Sequence, residues 1–72
     1  MDFRTFFMGR LRELRKESGE TQTAVAKAIS VSPRFYQNLE LGECLPGLEV
    51  CVALADHFGV SMDYLTGRTE KR

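Results

Sequence analysis

The stretch from Gln22 to Leu41 reads QTAVAKAISVSPRFYQNLEL, and it decides the fold. Its apolar residues recur at helical spacing on either side of a short break, with Val25, Ala26 and Ile29 before it and Tyr36 and Leu39 after it. Thr21 stands where an N-cap hydroxyl belongs, ahead of a short helix. Ser32 followed by Pro33 starts a second one, because serine accepts an orphan backbone N–H and proline suits the first helical turn, where its missing N–H is no loss. Two short helices joined so tightly meet at a steep angle, which demands a small residue at their contact and apolar residues on their inner faces. Counting Gln22 as the first of twenty positions, Ala26 takes the contact, and Val25, Ile29, Val31, Tyr36 and Leu39 take the inner places.

Outward from this stretch the same period continues. Upstream, Phe7, Leu11, Leu14 and Ser18 form a stripe flanked by Arg10, Arg12, Glu13, Lys16 and Glu17, a helix stopped by Gly19. Downstream, Gly42 ends the helix begun at Pro33, expected to run to about Glu40, and Pro46 with Gly47 marks a surface connection. Leu48, Cys51, Leu54, Ala55 and Phe58 then predict a fourth helix, closed by Gly59. Ser61 caps a last short helix through Leu65, stopped by Gly67. No segment alternates with period two, so the expectation is an all-α, compact five-helix domain over residues 1–67, followed by a frayed polar tail over residues 68–72.

At 72 residues the chain makes one domain at most, and it buries only about 60% of its unfolded surface, so the core has to be small and efficient. With 43% hydrophobic and 28% charged residues it reads as folded rather than disordered. No apolar run approaches the roughly 18 residues of a membrane span, and Asp2 and Arg4 around Phe3 do not form a signal peptide, so a cytoplasmic protein is expected. Cys44 and Cys51 lack metal-ligand spacing and His57 is the only histidine; a reduced pair is expected, with Cys51 buried and Cys44 in a loop, and no metal or cofactor. Nothing supplies a nucleophile with its base or a glycine-rich phosphate loop, so no catalytic residue and no small-molecule substrate is expected, and His57 reads as a half-exposed polar residue.

The net charge is zero, yet its distribution is polar. Up to Leu39, Arg4, Arg10, Arg12, Arg15, Lys16, Lys27 and Arg34 outnumber Asp2, Glu13, Glu17 and Glu20. From Glu40 to Gly67 the chain carries Glu40, Glu43, Glu49, Asp56 and Asp63 and neither lysine nor arginine.

The run LRELRKESGETQTAVAKAISVSPRFYQNLELG from Leu11, followed by LPGLEVCVALADHFGVSMDYLTGR to Arg68, resembles the Cro/CI-type helix-turn-helix family of phage and bacterial transcriptional repressors, with their lambda-repressor-like fold. The resemblance rests on the order of caps, Ala26, Glu40-Leu41-Gly42, Pro46 and Ser61-Met62-Asp63-Tyr64-Leu65. It implies double-stranded DNA as the partner, with the helix from Pro33 in the major groove. It also implies base contacts from Pro33, Arg34, Phe35, Gln37 and Asn38, and phosphate contacts from Gln22, Thr21, Lys27 and Ser32. The chemistry suits that role: arginine pairs bidentately with guanine, glutamine and asparagine with adenine, and Pro33 offers apolar contact. Phe35 is open to two readings, a base contact or packing on a neighbouring side chain. Arg15 and Glu40 match an internal ion pair of the family, one that fixes orientation more than it adds net stability.

Some residues depart from the family pattern. Ser30 occupies a turn position usually held by glycine, so the turn either accepts serine at positive φ or differs in geometry. Glu43 lies where basic or polar residues usually approach phosphates. Phe3, Phe6 and Val50 have no evident inward slot, nor do Leu41 and Leu45 in their loop; clustered, such residues mark a partner surface. With few phosphate contacts, a homodimer on a palindromic operator is expected, its recognition helices about 34 Å apart. The alternative is a protein-interaction module of the same fold, an antitoxin or anti-repressor, with weak or no DNA binding.

Overall fold

Serine and threonine hydroxyls set three of the helix starts. Thr21 Oγ1 accepts the Ala24 N–H at 3.0 Å, Ser32 Oγ that of Phe35 at 3.1 Å and Ser61 Oγ that of Tyr64 at 3.0 Å. The computed structural model describes residues 3–72; Met1 and Asp2, the latter counted among the N-terminal charges, lie outside the described residues. The helices are α1 (Phe3–Ser18), α2 (Gln22–Ala28), α3 (Pro33–Leu41), α4 (Leu48–Phe58) and α5 (Met62–Leu65), and the described residues contain no strand.

Most helix ends close by one device. At α3, which runs one residue past Glu40, the Gly42 N–H bonds back to the Leu39 carbonyl and the Glu43 N–H to that of Asn38, with Gly42 left-handed at φ 78°. The end of α2 repeats the pattern, Ser30 N–H to Lys27 and Val31 N–H to Ala26, but here the left-handed residue is Ser30 at φ 63°. It is the only described non-glycine residue with positive φ. The turn between α2 and α3 therefore keeps the glycine geometry without the glycine.

Phe7, Leu11 and Leu14 of α1 meet Val25 and Ala26 of α2, Tyr36 and Leu39 of α3, Cys51, Leu54 and Ala55 of α4, and Tyr64 and Leu65 of α5 in one buried core. Two expected core positions are not in it. Ser18 is exposed, because α1 ends there and its hydroxyl turns back to the Arg15 carbonyl at 2.8 Å. Leu48 is 73% exposed, since as the first residue of α4 it precedes the turn whose inner face reaches the core. Conversely, Phe3 and Val50 do find slots: both pack on the core, Phe3 with its ring stacked on Phe7 at 5.6 Å between centroids.

The expected fraying of residues 68–72 is not seen. Arg72 grips Glu17 of α1 through two hydrogen bonds of 2.8 and 2.6 Å, and its carbonyl accepts the Ser61 N–H at 2.9 Å. The Tyr64 ring lies within cation–π reach of two guanidinium groups, Arg10 at 4.1 Å and Arg72 at 5.4 Å. Arg10 also donates to the carbonyls of Tyr64 and Thr69, so α1, α5 and the final residues are joined across the sequence.

Candidate nucleic-acid interface

The α2–α3 packing leaves one face of α3 turned outward. Arg34, Gln37 and Asn38 line a shallow polar depression on that face, together with Leu41 and Glu43. Arg34 and Gln37 are exposed and Asn38 is half-buried; among the described residues none of the three makes a side-chain hydrogen bond within the protein. Pro33 is exposed at the N-terminus of α3. Phe35 is half-buried and packs on the core's margin. The structure thus brings together Arg34, Gln37 and Asn38, and turns part of Phe35 inward.

The residues implied in phosphate contact sit at helix ends. Thr21 and Ser32 are exposed caps whose oxygens accept backbone N–H groups, leaving each hydroxyl proton available as a donor. Lys27 is exposed in the last turn of α2. Gln22, the first residue of α2, is half-buried, and its Nε2 donates to Glu40 Oε1 at 3.0 Å.

Glu40 is the one buried charged residue among those described, 2% exposed, and it is fully partnered. Arg15 donates Nε to Oε2 at 2.7 Å and Nη2 to Oε1 at 3.2 Å, and Tyr36 donates its hydroxyl to Oε2 at 2.6 Å. Burial pushes the Glu40 carboxyl up, but hydrogen bonds from Arg15, Tyr36 and Gln22 outweigh it and hold it below the ordinary carboxylate range. Burial, then the Glu40 carboxylate, pushes the Tyr36 phenol well up, so it remains a donor. Arg12 adds a bond from Nη2 to the Glu40 carbonyl at 2.9 Å, covering an orphan group near the α3 C-terminus, and Arg15 Nη1 reaches the Glu20 carbonyl at 3.2 Å.

Sequence reasoning found the Arg15–Glu40 pairing through the resemblance, but missed Tyr36, Gln22 and Arg12 as partners of the same residue. Tyr36 carried a usable signal, since it lies one helical turn before Glu40. It also missed His57, whose Nε2 lies 2.8 and 2.9 Å from the two Glu20 oxygens; the hydrogen bond from His57 holds that carboxyl low. Cys51 is buried, which pushes its thiol up, and Cys44 is half-buried in the loop after α3. Among the described residues no group of three or more histidine, cysteine, aspartate or glutamate side chains is placed to hold a metal.

Two short helices locked at a tight turn, with the polar face of the second turned outward, define a helix-turn-helix domain. The chain belongs to the Cro/CI-type helix-turn-helix family of DNA-binding transcriptional regulators, whose helix-turn-helix profile matches residues 11–65. It is 36% identical over 69 residues to the HTH-type transcriptional regulator PrpR of Mycobacterium tuberculosis, covering 96% of this chain and 14% of that protein. It is 41% identical over 59 residues to the cryptic phage CTXphi transcriptional repressor RstR of Vibrio cholerae, covering 82% and 53%. The chain therefore spans about half of RstR and a small part of PrpR. Its fold is similar to the crystal structure of the clp gene regulator ClgR from C. glutamicum, with a TM-score of 0.78 and 26% identity, over 90% of this chain and 84% of that one. No described helix is long and apolar enough to cross a membrane.

Proposed function

We propose that this domain is a sequence-specific DNA-binding transcriptional regulator of the cytoplasm, a repressor acting as a homodimer, with α3 in the major groove of a palindromic operator. The observation that carries this reading is the outward face of α3. Arg34, Gln37 and Asn38 are side chains of the types that pair with base edges, and they are unspent on the protein itself. Gln22, Thr21, Lys27 and Ser32, at the ends of α2 and α3, serve as phosphate contacts, with Pro33 and the exposed part of Phe35 as apolar contacts. Exposed Leu41 at the end of α3, Leu45 in the loop after it and Leu48 and Val52 on α4 support the pairing of two copies. The domain's role is binding, not catalysis.

The test is affinity for mixed-sequence duplex DNA across a salt series. A log–log slope of about −0.9 per phosphate contacted supports the reading, and selection from a random duplex library then gives the operator. Sedimentation showing only monomer at tens of micromolar, with and without DNA, would remove the dimer. Glu43, beside the α3 face, favours a second reading, an antitoxin or anti-repressor that binds protein through its apolar and acidic surface. A chain showing no salt-dependent duplex binding would turn the assignment that way.

A further inference from the structure

Glu40 belongs to the core by its burial and to the interface by one of its partners. Its carboxylate takes hydrogen bonds from three elements: Arg15 on α1, Gln22 at the start of α2 and Tyr36 on α3 itself. Arg15 and Tyr36 already compensate the buried charge from inside. The bond from Gln22 is different, because its donor is a half-buried residue at the start of α2, between the exposed Thr21 and Thr23 and so at the edge of the surface.

A primary amide carries two N–H hydrogens on its nitrogen and an acceptor on its oxygen, and it can present either end by turning about its last torsion. A carboxylate only accepts, so it can hold Gln22 in one sense alone, nitrogen toward Glu40. One N–H is then occupied, and the other remains on the same fixed nitrogen. Without that partner the amide is free to turn its oxygen outward, and an oxygen facing a phosphate repels it.

Resting on the DNA-binding reading, we propose that Glu40 is a positioning residue for the phosphate contact: it holds the Gln22 amide so that its second N–H, not its oxygen, is offered to the DNA backbone. The buried ion pair and the phosphate contact are thereby one hydrogen-bonded unit. The affinity gained is for DNA of any sequence, since a phosphate carries no base information.

Four chains test it: wild type, Glu40→Met, Gln22→Ala and the double variant. Methionine keeps the volume and removes the acceptor. Affinity for mixed-sequence duplex DNA is measured for each and corrected for the folded fraction by circular dichroism. Losing one oriented hydrogen bond should weaken binding about fivefold when Glu40→Met is made with Gln22 present. The same change should have no further effect in the Gln22→Ala background. An equal loss in both backgrounds overturns the inference and leaves the DNA reading intact. Absence of salt-dependent binding by the wild type overturns both.

If Glu40→Met does not fold, the wild type decides. In the ¹⁵N-labelled free protein one Gln22 side-chain amide proton should exchange slowly with solvent, and added duplex should shift its partner the more strongly. Both protons exchanging at the rate of a free glutamine, or moving equally on titration, would overturn the proposal.

Discussion

Replacing Ser30 by glycine should make this protein more stable, although it removes a side chain and adds none. Ser30 is held at φ 63° by the two hydrogen bonds that close α2, and for a residue with a Cβ that conformation costs about 1–2 kcal/mol. Glycine relieves the strain but gains freedom in the unfolded chain, which takes back about 0.4–1 kcal/mol. The strain term is the larger, and the net is a stabilisation of about 0.5–1 kcal/mol. In a domain of this size that raises Tm by roughly 2–8 °C. Scanning calorimetry on Ser30→Gly reads the shift directly. Ser30→Ala is the control: it removes the hydroxyl, which makes no hydrogen bond among the described residues, and keeps the Cβ, so its Tm should stay near that of wild type. A glycine variant with unchanged or lower Tm would show that the turn stores no net strain at serine.

Tyr36→Phe deletes a 2.6 Å hydrogen bond to a buried carboxylate and should lower unfolding free energy by about 1.5–3 kcal/mol; a urea midpoint equal to wild type would contradict the role given to the phenol. Gly42→Ala should cost about 1 kcal/mol, since a Cβ on this left-handed backbone is strained by about 1–2 kcal/mol and alanine takes back part of that by restricting the unfolded chain, while the flexible Met8 side chain moves aside; guanidinium unfolding checks it. Arg34→Ala should leave Tm unchanged and relax preference at one base pair by about 1–3 kcal/mol, read from selected duplex libraries; untouched preference at every position would place α3 in the wrong register. The Glu17, Glu20 and Glu40 carboxyls are all held below their ordinary range, by Arg72, by His57 and by Arg15 with Tyr36 and Gln22, so the folded state binds fewer protons than the unfolded chain. Their contribution is full at neutral pH and is lost as pH falls through the depressed folded values, so urea unfolding free energy should drop steadily in acid; a constant value down to about pH 3 would refute the linkage.

The helix boundaries were legible because their signals are local. Thr21, Ser32 and Ser61 cap within three residues, and Gly42 and Gly59 end helices by their own φ. Val25, Ala26, Tyr36 and Leu39 were legible as core because a period of 3.6 leaves them one side to face. What escaped lies far apart in sequence. Nothing near Arg72 announces that Glu17 will hold it, and nothing near His57 points to Glu20. Ser18 and Leu48 failed because periodicity assigns a face but not where the core stops. At the interface, the types of residue on the outer face of α3 could be read directly, whereas the inward tether of Gln22 could not. Only the packing of α2 on α3 brings residues 22 and 40 together.

That tether divides the surface into two classes of heritable variation. On the DNA-binding reading proposed above, Arg34, Gln37 and Asn38, whose side chains make no hydrogen bond within the described chain, can be exchanged one at a time by a descendant, which acquires a new operator while inheriting an unaltered scaffold. Gln22 has no such independence, because its partner is a carboxylate on which three helices converge. Under the proposed contacts, divergence among copies of this domain has an easy direction, toward new base preferences, and a hard one, toward a new way of gripping the DNA backbone.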